Sequence, residues 1–199
     1  MIKDFDNYIR KEYGKPRNCI IILGPPGSGK GTQADILSTK SGYDHISTGE
    51  LLRNSKNPRI KNVLKNGGLV PDDLVYKELN KHIGRNTNST GFIFDGYPRK
   101  IEQRDLLEKI MDDNNISISN IFFLNVSEGE IRKRIRERGK TSGRSDDNDK
   151  SLEKRISEYK NKTVPLIDSY KNNPDFIEIR SDGAPQHTTK IIFENIPEI

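Results

Sequence analysis

The chain has 199 residues, 31% apolar and 32% charged, with a formal net charge of +5. Ile, Leu, Val and Phe number 25, 13, 5 and 7, about a quarter of the chain, which clears the roughly 20% below which a core fails and excludes a wholly disordered polymer. No apolar run approaches the ~20 residues that span a bilayer, and the single cysteine, Cys19, rules out an internal disulfide or a cysteine-rich zinc site. The excess of positive charge points to an anionic partner: nucleic acid, an anionic surface or phosphorylated small molecules.

Residues 1–17 read as a charged N-terminal tail, with Ile2, Phe5, Ile9 and Tyr13 near helical spacing. They lack the apolar stretch of a signal peptide, and Asp4, Asp6 and Glu12 are foreign to a transit peptide, so a cytoplasmic protein is expected. Residues 18–199 read as one domain. Five short, nearly continuous apolar runs are predicted as strands: Cys19 to Leu23, Tyr43 to Ser47, Phe92 to Asp95, Ile121 to Val126 and Phe176 to Ile179. Strands buried on both faces have this character. Amphipathic segments lie between most of them, such as the stripe Leu152, Ile156, Tyr159, Thr163, Leu166 and Ile167. Strand and helix in alternation predict an α/β fold, a doubly wound five-stranded parallel sheet with helices on both faces. Pro58 starts a short helix over 59–65, Gly67-Gly68 marks a turn, and Thr141 to Arg144 reads as a loop.

The first strand runs into Gly24-Pro-Pro-Gly27-Ser28-Gly29-Lys30-Gly31-Thr32, followed by a helix carrying Ile36 and Leu37. Glycines let backbone N–H groups converge, and the helix N-terminus behind them adds partial positive charge. Lys30 adds a full charge for the β- and γ-phosphates of a nucleotide. A P-loop usually places Ser or Thr directly after this lysine; here Gly31 stands there and Thr32 follows. A metal must then be held mainly by phosphates, water and a distant carboxylate. The plain alternative is a glycine-rich turn without a ligand, but the flanking strand, helix and lysine favour the phosphate site. The signal leaves the reaction open.

Further segments narrow it: Tyr43-Asp-His-Ile-Ser-Thr48-Gly-Glu-Leu-Leu-Arg53, Leu69-Val70-Pro71, Asp95-Gly96-Tyr97-Pro98-Arg99 with Gln103, and Thr141-Ser-Gly-Arg144-Ser-Asp146-Asp147-Asn148. In these, and in family order from about Asn18 to the C-terminus, the chain resembles the adenylate kinases, in their short-lid form. The resemblance implies reversible transfer between MgATP and AMP to give two ADP, with a small AMP-binding flap at about 47–70 and a lid at about 137–147. It implies Lys30, Arg99, Arg138, Arg144 and Arg155 as catalytic. ATP would lie on Gly27, Ser28, Gly29, Lys30, Gly31, Thr32, Arg134, Arg138 and Gly183. AMP would lie on Thr48, Arg53, Gly68, Leu69, Val70, Gly96, Tyr97, Pro98, Arg99, Gln103, Arg144 and Arg155. Asp95 would hold the water shell of Mg2+, Asp146 and Asp147 would fasten the closed lid, and no zinc is expected. Thr48 together with Gln103 favours AMP over UMP or CMP as acceptor. ATP is the favoured donor, with GTP as the alternative. The flap is shorter than the family usually has, with 15 residues between Arg53 and Leu69.

The chemistry agrees with the resemblance. Phosphoryl transfer needs positioning and charge neutralisation more than covalent help. The AMP phosphate is mostly a dianion at neutral pH and needs no general base. His45, His82 and His187 sit in unrelated segments, with no Ser-His-Asp spacing. Arg134 and Arg138 share a helix face, whereas Arg132 and Arg136 read as plain surface. Three rivals stand beside this reading: a UMP/CMP kinase, a nucleotide-binding relative without turnover, and a nucleic-acid binder. The last has only net charge in its favour and lacks an aromatic and basic platform. Small-molecule substrates, no membrane and a monomeric state are expected.

Overall fold

The computed structural model describes residues 16–66, 68–86, 88–140 and 149–196. Five strands form one parallel sheet: β1 (Arg17–Leu23), β2 (Asp44–Ser47), β3 (Gly91–Asp95), β4 (Ile116–Asn125) and β5 (Phe176–Arg180), in the spatial order β2-β3-β1-β4-β5. Successive side chains of a strand point to opposite faces, and here both faces are covered. Cys19, Ile21 and Leu23 enter one core, while Ile20 and Ile22 enter the other. That double burial explains why the run from Cys19 to Leu23 is apolar at every position.

The first core is closed by α2 (Thr48–Arg53), α3 (Pro58–Lys65), α4 (Asp72–Ile83), α5 (Ile101–Asp113) and α8 (Val164–Tyr170), through Leu52, Ile60, Leu79, Leu107 and Leu166. The second is closed by α1 (Lys30–Ser41) and α9 (Pro185–Glu194), through Ala34, Leu37 and Ile192. A third, smaller cluster of Val126, Ile131, Ile135, Leu152 and Ile156 joins α6 (Glu128–Gly139) to α7 (Asp149–Glu158). The chain winds from β1 to the β2 edge, returns through β3, and crosses to β4 and β5 on the other side. Such a reversal opens a crevice at the carboxyl ends of the central strands, and the loops after β1 and β3 meet there. Among the described residues no helix is long and apolar enough to cross a membrane.

Three local expectations change. Arg17, assigned to the tail, opens β1: its guanidinium lies 4.9 Å over the Phe92 ring and donates to the Asn114 carbonyl at 2.9 Å. The rest of the tail, residues 1–15, lies outside the described residues. β4 begins five residues before Ile121, because an irregularity opposite Cys19 and Ile20 places Ser119 out of step, its hydroxyl donating to the Cys19 carbonyl at 3.1 Å. The polar Ser117 and Ser119 hid this half-strand from an apolar pattern. The long stripe from Leu152 to Ile167 is split into α7, a wider π turn over Tyr159–Thr163, and α8. Pro165, early in α8, has no N–H to continue the preceding ladder. The flap region holds two short helices, α2 and α3. The second starts on Pro58, with the Asn57 side chain accepting from the Arg59 N–H at 2.9 Å.

Candidate active site

The loop between β1 and α1 forms the floor. At Gly24, with φ of 151°, a Cβ would come within 2.8 Å of both the Leu124 carbonyl and Ser28 Oγ, so only glycine lets the loop turn this close to β4. Lys30 opens α1 and folds back into the loop, donating to the Gly24 and Pro25 carbonyls at 2.9 and 2.8 Å and to Ser28 Oγ at 3.4 Å. Burial lowers the Lys30 pKa to about 8; Asp95 opposes the shift, and the guanidinium groups of Arg99, Arg155 and Arg138 add to it. Four cations drawn from α1, the β3–α5 loop, α6 and α7 thus crowd one volume. Like charges gathered this way raise the free energy of the folded chain until an anion joins them.

Beside the loop lies a cleft between β3, the flap and α7. Every described residue expected to hold the acceptor nucleotide lines it: Thr48, Arg53, Gly68, Leu69, Val70, Gly96, Tyr97, Pro98, Arg99, Gln103 and Arg155, together with Lys30. Arg144, Asp146 and Asp147 lie outside the described residues. Gly96 has φ of 75°, and a Cβ there would stand 3.0 Å from Arg99 Nη2; its absence lets the guanidinium lie against the turn. Arg99 Nε donates to the Gly96 carbonyl at 2.7 Å. The Tyr97–Pro98 peptide is cis. The Arg53 guanidinium curls over its own helix, 3.3 Å from where a Gly49 Cβ would stand.

The two expected base-selecting residues are both buried, and both are already engaged. The Thr48 hydroxyl hydrogen is shared between the Gly96 and Asp95 carbonyls at 2.9 and 3.0 Å. Thr48 therefore ties α2 to the end of β3 and keeps only lone pairs for a base. Gln103 Oε1 accepts from the Arg99 N–H at 2.8 Å, and its Nε2 donates to Asp72 Oδ1 at 2.9 Å. The Thr163 hydroxyl donates to the Arg99 carbonyl at 2.8 Å. Sequence reasoning did not single out Asp72, and it read Thr163 only as part of a core stripe.

Asp95 ends β3, where Ser47 Oγ donates to its Oδ2 at 3.3 Å and His45 Nε2 stands 3.9 Å from the same oxygen. His45 Nδ1 pairs with Asp35 at 2.9 Å. Burial pushes the Asp95 pKa up, but the neighbouring His45 imidazole and the Lys30 charge outweigh it and hold the carboxyl below its usual value. A Cβ at Gly31 would stand 3.5 Å from Asp95 Oδ2, so the missing side chain leaves room beside an ionised carboxylate. One carboxylate with adjacent space fits a magnesium ion held chiefly by phosphate oxygens and water. Among the described residues no group of three or more His, Cys, Asp or Glu could hold an ion by itself.

Among the residues expected for the donor nucleotide, Arg134 Nη2 donates to the Ser181 and Gly183 carbonyls at 2.9 and 3.3 Å, Nη1 reaches the Ser28 carbonyl at 3.4 Å, and Nε pairs with Glu130 at 2.8 Å. Arg134 thereby links α6 to the phosphate loop and to the β5–α9 turn. Gly27 and Gly29 adopt positive φ, Ser28 is buried, and Thr32 is exposed in the first turn of α1. Arg138 is half-buried and Arg136 exposed. Arg132 is more than plain surface: it pairs with Glu128 on its own helix and with Glu153 on α7, and Lys160 joins Glu128 at 2.6 Å. This network braces α6 and α7 outside their apolar cluster.

The adenylate kinase family model matches residues 22–174. Adenylate kinase of Parabacteroides distasonis is 38% identical over 185 residues, covering 90% of this chain and 95% of that protein. Adenylate kinase of Flavobacterium psychrophilum is 38% identical over 184 residues, with coverages of 89% and 97%. Adenylate kinase of Bacteroides thetaiotaomicron is 41% identical over 171 residues, with coverages of 83% and 90%.

Proposed function

This chain belongs to the adenylate kinase family, and we propose from that premise how it moves a phosphoryl group between MgATP and AMP to give two ADP. It is a transferase. The observation that carries the residue roles is the convergence of Arg53, Arg99 and Arg155 with Lys30 on one cleft, with Arg138 near enough to depress the Lys30 pKa.

MgATP and AMP together bring a net charge of about −4 into one site, counting each phosphate near its full ionisation. Lys30 and the N–H groups of the Gly27 to Thr32 segment hold the β- and γ-phosphates of ATP. Arg134, backed by the Ser181 and Gly183 carbonyls, faces the adenine of the donor. Arg53 and Arg99 grip the AMP phosphate with planar forks that match its oxygens. One AMP phosphate oxygen forms the new P–O bond as the bond from the γ-phosphorus to the ADP leaving oxygen breaks. Arg138, Arg144 and Arg155 neutralise the charge on the transferred group. Asp95 would hold a magnesium ion through water, and that ion would supply positive charge against the phosphates of the bound nucleotide. The lid at 137–147 closes to exclude water, which would otherwise take the phosphoryl group. The protein acts on small molecules as a cytoplasmic monomer.

A coupled assay with AMP, CMP, UMP and GMP as acceptors tests the reading. AMP is expected to give the highest kcat/KM. Turnover on pyrimidine monophosphates alone would reject the AMP assignment and leave the kinase class standing.

A further inference from the structure

Gln103 could present its amide in either of two senses, and the choice decides which purine it fits. An amide carries two N–H donors on nitrogen and two lone pairs on oxygen. Adenine offers an acceptor at N1 beside a donor at its 6-amino group. A 6-oxopurine, hypoxanthine or guanine, offers a donor at N1 beside an acceptor at O6. Rotating the amide by half a turn therefore exchanges a fit to adenine for a fit to a 6-oxopurine. A freely rotating glutamine would discriminate poorly between the two.

Here the amide is not free. The Arg99 N–H can only donate, and it meets Gln103 Oε1 at 2.8 Å. The Asp72 carboxylate meets Gln103 Nε2 at 2.9 Å, and an ionised carboxylate can only accept. The second Asp72 oxygen is held by the Lys100 ammonium at 2.7 Å. Rotation would set N–H against N–H and carbonyl oxygen against carboxylate, losing two hydrogen bonds inside a site where Gln103 is 3% exposed. One N–H and one lone pair remain on the amide, in a fixed order, on the cleft that Gln103 lines.

We propose that Asp72 is a positioning residue that locks the Gln103 amide in one sense and thereby selects a 6-aminopurine monophosphate over a 6-oxopurine monophosphate. The proposal rests on the acceptor-site reading above. Asp72 touches no substrate; it acts through Gln103 across 31 residues, from the first turn of α4 to the first turn of α5.

The test compares kcat/KM for AMP and for IMP in Asp72→Ala, Asp72→Asn, Asp73→Ala, Gln103→Ala and the Asp72→Ala/Gln103→Ala double variant. Asp73 is a first-turn acid of the same helix, and it is exposed. Asp72→Ala is expected to lower the AMP-to-IMP preference about tenfold, as loss of one charged hydrogen bond would. The loss should appear in KM for AMP, with kcat and KM for ATP held. Asp72→Asn, which can still accept from Gln103 in one sense, should show a smaller loss, and Asp73→Ala none. In the Gln103→Ala background, removing Asp72 should change the preference no further. If Gln103→Ala lowers the preference and neither Asp72 variant does, the proposal fails while the acceptor site stands. An equal loss in Asp73→Ala, or an undiminished Asp72 effect without Gln103, also defeats it. If Gln103→Ala leaves the preference intact, the acceptor-site reading falls and takes the proposal with it.

Discussion

Thr163 and Arg99 stand 64 residues apart and are joined by one bond, the Thr163 hydroxyl donating to the Arg99 carbonyl at 2.8 Å. The N–H of the same arginine is held by Gln103 and its Nε by the Gly96 carbonyl. Both peptide groups of Arg99 and the root of its guanidinium are therefore fixed before any nucleotide arrives. Charge stabilisation works best when donors need no rearrangement at the moment of reaction. The widened turn at Tyr159–Thr163 supplies the third tether.

Thr163→Val removes the hydroxyl at nearly constant shape and leaves the Arg99 carbonyl without that donor. Thr163 is 7% exposed, so the lost bond costs about 1–3 kcal/mol wherever it is felt. Kcat is expected to fall about tenfold, with Thr163→Ser restoring most of it. Steady-state kinetics paired with thermal denaturation checks this: a stability loss with kcat unchanged would show that the tether serves only the fold.

Arg99→Lys keeps the charge and discards the fork. A lysine cannot meet two phosphate oxygens in one plane or hold the Gly96 carbonyl as Nε does. Kcat/KM for AMP is expected to drop about 100- to 1,000-fold, the range found for lost transition-state donors. A loss below about fivefold would mean that Arg99 contributes charge and not geometry.

The elements that fold by burial were legible in the sequence. The run from Cys19 to Leu23 announced a strand covered on both faces, and the glycines with Lys30 announced the phosphate loop, because both signals are local. The first half of β4 was not legible, since Ser117 pairs with Asn18 of β1, Ser119 stands out of step, and neither adds to an apolar pattern. Arg132 looked like one more charge on a basic helix, and only the approach of Glu153 from α7 makes it a brace. Asp72 and Thr163 were missed for the same reason. Each acts through one hydrogen bond to a residue far along the chain, and no spacing rule carries such a bond. Thr48 was expected on the acceptor cleft and lines it, but its hydroxyl hydrogen is shared by two carbonyls of the β3 turn, a detail no sequence pattern carries.

Ile135 is 2% exposed, sits in the cluster that joins α6 to α7, and brings Cγ1 to within 3.0 Å of where a Gly27 Cβ would stand. It is thus both core and the support beneath the phosphate loop. Ile135→Ala is expected to destabilise the protein by about 2–5 kcal/mol and to raise KM for ATP more than KM for AMP. Urea unfolding gives the first quantity and two-substrate kinetics the second. Equal increases in both KM values would place the effect on the fold as a whole.

The low pKa of Lys30 gives the reaction a pH dependence with a definite sign. In the free protein the ammonium loses its proton near pH 8, because burial and then the guanidinium groups of Arg99, Arg155 and Arg138 disfavour its charge. In the proposed role of Lys30, ATP binding needs the charged form. Kcat/KM for ATP should therefore fall as pH rises through about 8, approaching a tenfold loss per unit. Bound phosphates return the opposing charge, so kcat, which reports the complex, should hold to a higher pH. Stability moves the other way. The unfolded chain keeps this proton to 10.5 and the folded chain only to about 8, so between these values folding releases a proton and the protein gains stability as pH rises. Below pH 8 both forms are charged and the penalty is constant. Lys30→Met never carries that penalty, so its stability advantage over the parent should shrink between pH 8 and 10.5 in denaturant titrations. A kcat/KM profile for ATP that stays flat to pH 9.5 would show that the ammonium keeps its proton despite its surroundings.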